Sequence, residues 1–221
     1  NTGDVGKLYI FKRSVGTNTW TQQQILSSSH ESQDDKFGLR VSISSDGTYV
    51  VTAAQGDDEI HSNAGAGYVF KRTGNTWNTT PFRLITNDIA ADDNIATSLE
   101  ISNDGNFIAL GVMYDDDVSD RSGSVYMFAR TGDNTWTQQQ KLTGTPSGIS
   151  YFGGQNQGVS LSSDGTYIII GSYARGSSSG AIYFFQRSGS STSDWAWSLM
   201  GGIRTDPTGA TGNLFGRAVK M

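Results

Sequence analysis

Four aspartates in one short segment are the residues of this sequence whose types and spacing best match a metal site. They are Asp115, Asp116, Asp117 and Asp120. Carboxylates together with backbone carbonyls are the ligands that Ca²⁺ prefers. A solvated acidic loop has the same composition, and the equivalent later segment, 174–179, contains Arg175 and serines instead. The pattern predicts weak Ca²⁺ binding at most, and no other cofactor.

A second segment, 176–180, has the Gly-x-Ser-x-Gly spacing of a nucleophile elbow. That motif works where a strand-to-helix turn exposes the serine beside a histidine and an acid. No helix is predicted after this segment, and the chain has two histidines, His30 and His61. We interpret it as a Ser/Gly loop, predict no catalytic residue and do not expect an enzyme, with a hydrolase as the least favoured alternative.

Tryptophans recur along the chain and are candidate ligand-binding residues. They are Trp20, Trp77, Trp136 and Trp197, with Trp195 as an alternative to the last. An aromatic ring repeated once per structural unit would suit a multivalent lectin, in which each ring stacks on a sugar. Repeated aromatic rings more often pack between sheets, so burial is the expected outcome.

These candidate residues must be positioned by a repeated element, because one pattern recurs along the chain. It is centred on Asp46-Gly47, Asp104-Gly105 and Asp164-Gly165, which are 58 and 60 residues apart. Asp-Gly between two apolar runs predicts a β-hairpin with a type I′ turn, in which both central residues have positive φ. A regular period of this length indicates a repeat protein.

A second pattern keeps the same period and supplies two more strands per repeat. Its copies are Gly6–Arg13, Gly65–Arg72, Gly123–Arg130 and Gly180–Arg187, each followed by a Trp-containing run. The alternating aromatic residues of these strands are predicted to be core. They are Tyr9, Phe11, Tyr68, Phe70, Tyr126, Phe128, Tyr183 and Phe185.

Composition and pattern together predict an all-β fold. The chain of 221 residues has 28 Gly and 3 Pro and no periodic helical segment. Apolar runs such as 107–110 are continuous rather than alternating, as expected for sheets that are buried on both faces. Four-stranded antiparallel units in series predict a β-propeller rather than a β-sandwich, which would not need the repeat.

We expect a single domain, 1–221, with about four units, one of them incomplete. Three units span approximately 37–86, 95–143 and 156–200, and the last is shared by 215–221 and 6–26. Equivalents of residues 44–59 are missing from that shared unit. The missing strand would leave unpaired strand edges, for which we consider three outcomes. The parent chain is longer, the unit is a three-stranded blade, or another molecule fills the gap by self-association through the incomplete blade.

Charge and composition exclude several classes of partner. The formal charge is −5 and the sequence pI is about 4.9, so no basic surface is available for nucleic acid. No apolar run is long enough to span a bilayer, so membrane insertion is not expected. The absence of cysteine leaves the compartment open, and the Asn78-Thr79-Thr80 sequon weakly favours secretion.

These motifs resemble the FG-GAP repeats of integrin α-chain heads and related surface proteins. The resemblance rests on Phe37-Gly38, Phe215-Gly216, the Asp-Gly hairpins and the Gly-x-x-Tyr-x-Phe strands. It departs at Ile95-Ala96, at a displaced Phe152-Gly153, and at the hairpins, which lack the Asp-x-Asp-x-Asp-Gly loop that binds Ca²⁺ in such repeats. The resemblance implies an extracellular or cell-surface module for adhesion or assembly that binds protein or glycan through its loops.

Overall fold

A computed structural model describes residues 5–28, 30, 32–145, 148–155 and 157–221. Within these residues the chain forms short β-strands and one helical turn, α1, at Arg175–Ser178. The strands are β1 Leu8–Arg13, β2 Trp20–Leu26, β3 Val41–Ile43, β4 Tyr49–Ala54, β5 Ala66–Thr73, β6 Thr76–Trp77, β7 Phe82–Leu84, β8 Ile95–Ile101, β9 Phe107–Val112, β10 Ser124–Arg130, β11 Trp136–Thr143, β12 Val159–Leu161, β13 Tyr167–Ser172, β14 Ala181–Ser188, β15 Ala196–Leu199 and β16 Arg204–Thr205.

The strands form four antiparallel sheets that follow one another along the chain. The first pairs β1 with β2, the second has the order β3-β4-β5-β6 with β7 also on β5, and the third has the order β8-β9-β10-β11. The fourth has the order β12-β13-β14-β15, with β16 also on β14. The predicted all-β propeller of four-stranded antiparallel units is confirmed, whereas the predicted unit boundaries and single domain stay predictions.

The three Asp-Gly hairpins lie where they were predicted, but the predicted type I′ turn is wrong. Gly47 and Gly105 have positive φ, whereas the aspartates that precede them do not. In the first hairpin the Gly47 N–H donates to the Ser44 carbonyl at 2.9 Å, and the Asp46 carboxylate accepts the Thr48 N–H at 2.8 Å. The Asp46 side chain therefore stabilises a four-residue turn in which the aspartate does not have a positive φ. This turn forms in place of a type I′ turn, which would require positive φ at both central residues.

Each hairpin is also held by an arginine at the end of the third strand of its own sheet, in the last or the last-but-one position of that strand. Arg72 Nε donates to the Gly47 carbonyl at 2.7 Å, and Arg130 Nε donates to the Gly105 carbonyl at 3.1 Å. Arg187 donates to the Asp164 carbonyl at 3.4 Å. The final arginine of the repeated strand motif therefore has a structural use.

Apolar residues fill the space between successive sheets. Each of the three clusters joins the Tyr/Phe face of one sheet to the opposite face of the sheet before it. Trp136 packs edge-to-face on Tyr49 with ring centroids 5.8 Å apart, and Trp197 packs on Phe107 at 5.7 Å. The repeated aromatic residues therefore stabilise the contact between neighbouring sheets.

The first sheet departs from this pattern, and the prediction that Tyr9 and Phe11 are core residues is wrong. Both side chains are 52% exposed, whereas their equivalents Tyr68 and Phe70 are fully buried. The equivalents are buried because another sheet precedes theirs, and no described sheet covers this face of β1 and β2. Burial here depends on a neighbouring unit rather than on the residue type.

Glycine backbones join one unit to the next at the start of each third strand. Gly6 forms a parallel bridge with Phe37, and Gly180 forms one with Phe215. A Cβ on Gly180 would lie 2.0 Å from the Phe215 carbonyl oxygen, so no larger residue fits. Ile95-Ala96 takes the place of Phe-Gly in the third sheet, and Ala96 accordingly has a φ of 65°.

The first strands of successive units contact one another. Ser42 Oγ accepts the Ile101 N–H, the Glu100 carboxylate accepts the Leu161 N–H, and Ser160 Oγ accepts the Met221 N–H, at 3.3, 2.6 and 3.0 Å respectively. These strands line a cavity of about 350 Å³. The same type of hydrogen bond joins the last residue, Met221, to β12 of the fourth sheet, and the assignment of residues 215–221 to a further unit stays a prediction.

Candidate functional site

A buried aspartate follows the second strand of two units and neutralises a base from the same sheet. Asp57 is 2% exposed and bonds to the Tyr68 hydroxyl and to Arg83. Asp115 is 3% exposed and accepts the Ser124 hydroxyl at 2.6 Å, the Tyr126 hydroxyl at 3.0 Å and Lys141 Nζ at 2.7 Å. A buried carboxylate of this kind is stabilised only while its partners are present.

Lys141 is the centre of the second of these networks. Its ammonium contacts Asp115, Asp117 at 2.6 Å and Asp88 at 2.9 Å. Burial lowers the pKa of Lys141, but these hydrogen bonds raise it by more, so that its pKa is above the ordinary value. Lys141 therefore stays charged and fixes the base of the loop that contains residues 115–121.

Asp93 is a further buried carboxylate, which lies beside this network. It is 7% exposed, and its Oδ2 accepts the Ala90 N–H at 2.7 Å. The pKa of Asp93 is raised to about 6, mainly by burial and also by the nearby charges of Asp115 and Asp117, although the Ala90 hydrogen bond and Lys141 lower it. A carboxylate of this kind is a feature of functional sites as well as of structural networks.

Asp93 lines an open cavity of about 550 Å³, which we call the rim pocket. Three loops form it: the connection between the second and third sheets, the β9–β10 loop, and the connection between the third and fourth sheets. Its lining residues are Ala91, Asp92, Asp93, Asn94, Tyr114, Asp116, Asp120, Arg121 and Tyr151. Four carboxylates and one guanidinium give this lining a formal charge of −3 when all are ionised.

Aromatic rings form one side of the rim pocket. Tyr114 and Tyr151 are perpendicular to each other, with centroids 6.0 Å apart, and Tyr151 lies against Tyr173 at 5.3 Å. The Arg121 guanidinium lies 5.9 Å from the centre of the Tyr114 ring. The Tyr114 ring therefore faces a positive charge within the protein.

The four aspartates predicted as metal ligands are divided between two roles. Asp115 and Asp117 contact Lys141, whereas Asp116 and Asp120 line the rim pocket. In the described part of the chain, no group of three or more His, Asp or Glu side chains is arranged to hold a metal ion. The Ca²⁺ assignment stays a prediction, and the geometry gives Asp115 a structural role.

The other predicted candidates are placed as follows. Trp77, Trp136 and Trp197 are 2–4% exposed, so they cannot stack on a sugar without separation of the sheets, whereas Trp20 is 63% exposed. In the Gly176–Gly180 loop, the Ser179 hydroxyl donates to the Gly176 carbonyl at 2.9 Å. Ser177 has a φ of 58° within a left-handed turn.

The sequence analysis missed Asp93, Tyr114, Tyr151 and Lys141, which lie in or beside the rim pocket. Asp93, Tyr114 and Tyr151 belong to three different loops and Lys141 belongs to β11, and no short motif contains them together. Alignment of the repeats could have drawn attention to the two tyrosines, since the unit before has Gly56 and Asn94 at those places.

Comparison with known proteins supports the fold and the repeat. Residues 20–70 match the model of the FG-GAP repeat, which confirms the predicted resemblance. A search of curated proteins found no match. In the described part of the chain, no helix is long and apolar enough to cross a membrane.

Solved structures with a similar fold are much longer than this chain. A hypothetical selenium-binding protein from Sulfolobus tokodaii has a TM-score of 0.51 and 11% identity, over 83% of this chain and 45% of that one. A 6-phosphogluconolactonase, described as putative, from Bacteroides uniformis has a TM-score of 0.50 and 14% identity, over 92% and 66%. TolB from Acinetobacter baumannii has a TM-score of 0.45 and 15% identity, over 87% and 37%. Identities this low show the fold alone.

Proposed function

We propose that this chain, a β-propeller with an FG-GAP repeat at residues 20–70, is a non-catalytic interaction module of an extracellular or surface protein. It binds a protein or glycan partner through the loops at the rim of its sheets. The observation that supports this proposal is the rim pocket, which three loops of a rigid scaffold form together. Loops on a rigid scaffold are the usual place for recognition.

The chemistry of the rim pocket favours binding over catalysis. Lys141 lies outside the lining, contacts three carboxylates and is not available as a general base or nucleophile. Arg121, a permanent cation, is the one basic residue of the lining. Aromatic rings, carboxylates and an amide can bind and orient a polar ligand.

Assembly with further units of the same kind is the second part of the proposal. Tyr167 is 38% exposed, whereas its equivalents Tyr49 and Phe107 are 5% and 2% exposed. The exposed faces at Tyr167 and at Tyr9 have the same pattern as the two faces that meet between successive sheets. A unit of this type, from the same polypeptide or another molecule, would cover either face.

A binding experiment with matched variants tests the interaction role. The chain is screened on a glycan array and, after photocrosslinking, against proteins of the cell surface. The variant Tyr114→Ser with Tyr151→Asn removes the aromatic side of the rim pocket, and Tyr9→Ser is the control because it removes an exposed tyrosine elsewhere. We expect a partner that the double variant loses and the control retains. Equal binding by all three proteins would contradict the proposal.

Light scattering tests the assembly role. We expect the 221-residue chain to self-associate with increasing concentration, and Tyr9→Lys and Tyr167→Lys each to prevent it. A mixture of the two variants should form dimers only, because one intact face of each kind remains. A monomer at all concentrations would exclude self-association by this chain.

A further inference from the structure

We propose that the rim pocket binds an organic cation, a primary ammonium or guanidinium group. The inference rests on the proposed binding role and names the chemistry of the partner. Its first support is the imbalance of charge, since Arg121 is the one basic residue of a lining with four aspartates. A cleft lined by one sign of charge attracts ligands of the other sign.

The second support is the buried carboxylate at the pocket wall. Asp93 is 7% exposed, and the Ala90 N–H on Oδ2 is its hydrogen bond in the structure. Lys141 and its partners Asp115 and Asp117 are close enough to act on Asp93, so the electrostatic potential at Asp93 has contributions from both signs. An ammonium or guanidinium group in the pocket would supply Asp93 with a charged donor, and a charge-assisted hydrogen bond of this kind is among the strongest.

The third support is the aromatic wall. Arg121 already occupies the face of Tyr114 at 5.9 Å and lies 3.9 Å from Asp120. A guanidinium group of the protein itself therefore shows where a cation is stabilised, between an aromatic ring and a carboxylate. Tyr151 is also a side-chain hydrogen-bond partner of Arg121, and a ligand cation beside these rings would be bound by Asp92 and Asp116, which line the pocket as well.

Comparison of the repeats shows that this combination is confined to one unit. The preceding unit keeps the acids, with Asp34 and Asp58 at the places of Asp92 and Asp116, but has Gly56 and Asn94 instead of the two tyrosines. The following unit has Ala174, Arg175 and Gly176 at the places of Tyr114, Asp115 and Asp116. Among the described units, the two loop tyrosines and the exposed loop aspartates occur together only at the rim pocket, which favours a specific ligand over a general property of the fold.

The repeats also supply matched variants for the test. Asp92→Asn with Asp116→Asn removes two carboxylates of the rim pocket, both of which are exposed. Asn is suited to the φ of 65° at residue 92. The control is Asp34→Asn with Asp58→Asn, which removes the same charge from equivalent exposed positions, where residue 34 has a φ of 69°.

The experiment is a titration followed by backbone amide NMR. The probes are spermidine, the peptide acetyl-Ala-Lys-Ala-amide, its Arg analogue, and the neutral acetyl-Ala-Gln-Ala-amide. We expect saturable shifts at residues 91–94, 114–121 and 151 with at least one cationic probe, and none with the Gln peptide. The pocket variant should weaken binding at least fivefold, and the control variant less than twofold.

Several outcomes would overturn the proposal. These are shifts of equal size with the Gln peptide, no saturable shifts with any cation, and equal affinity for the pocket and control variants. Spermidine binding without peptide binding would identify a free amine as the source, and the reverse would identify a polypeptide. Saccharide binding at the same residues without cation binding would refute the proposal of a cationic ligand and leave the interaction role intact. Cation binding without any macromolecular partner would refute the interaction role alone.

Discussion

Asp93→Asn should stabilise this protein at neutral pH, although it removes a charged residue. The pKa of Asp93 is raised from 3.8 to about 6, mainly by burial. Each unit of pKa shift corresponds to about 1.4 kcal/mol, so the ionised carboxylate costs the folded state about 3 kcal/mol. The amide oxygen of Asn can still accept the Ala90 N–H and requires no desolvation of a charge.

The sign of this effect depends on pH. Because the folded pKa is raised, the folded state binds the proton more tightly than the unfolded chain. The favourable contribution of Asp93 is complete below about pH 3.8 and is lost as the pH rises towards 6. The gain from Asp93→Asn should therefore be near zero at pH 3.5, increase between pH 4 and 6, and be constant above pH 7.

Urea unfolding at several pH values measures this difference. Asp92→Asn is the matched control, because Asp92 is the exposed neighbour and its replacement should change the free energy of unfolding by about 0.5 kcal/mol or less. A gain that does not depend on pH, or a loss of stability at pH 8, would refute the assignment of Asp93 as a desolvated carboxylate.

Further expected outcomes concern the hairpins, the charge network and metal ions. Gly105→Val should destabilise the folded protein by on the order of 1 to 3 kcal/mol, since Gly105 has a φ of 69° and a Cβ there would lie 3.1 Å from the Tyr49 ring. An unchanged melting temperature would contradict this prediction. Lys141→Met should lower the free energy of unfolding in urea by on the order of 3 to 5 kcal/mol, because it leaves Asp115 buried without its cation. The control Lys71→Met breaks the more exposed pair with Asp133 and should cost about 1 kcal/mol or less, so equal costs would argue against the buried network. Addition of a chelator should change the melting temperature little, because a weakly bound ion stabilises little, and a fall of many degrees would reveal a strong site.

Features that depend on local sequence were predictable. The repeat period placed the hairpins at Asp46, Asp104 and Asp164, and the continuous apolar runs indicated sheets covered on both faces. Both inferences succeed because strand pairing between neighbouring segments depends on short-range patterns. The type of turn did not follow, because the Asp46 side chain bonds to the Thr48 N–H and selects a different loop.

The tertiary structure decided the burial of the aromatic residues and the site. Tyr9 and Tyr68 occupy the same place in the same motif, yet one is 52% exposed and the other is fully buried, because burial depends on which sheet lies next to each. Asp93, Tyr114 and Tyr151 meet only because loops from successive units end at the same rim. Sequence alone determined the repeated unit, and the packing of one unit on the next determined which side chains are core, which are paired and which line a pocket.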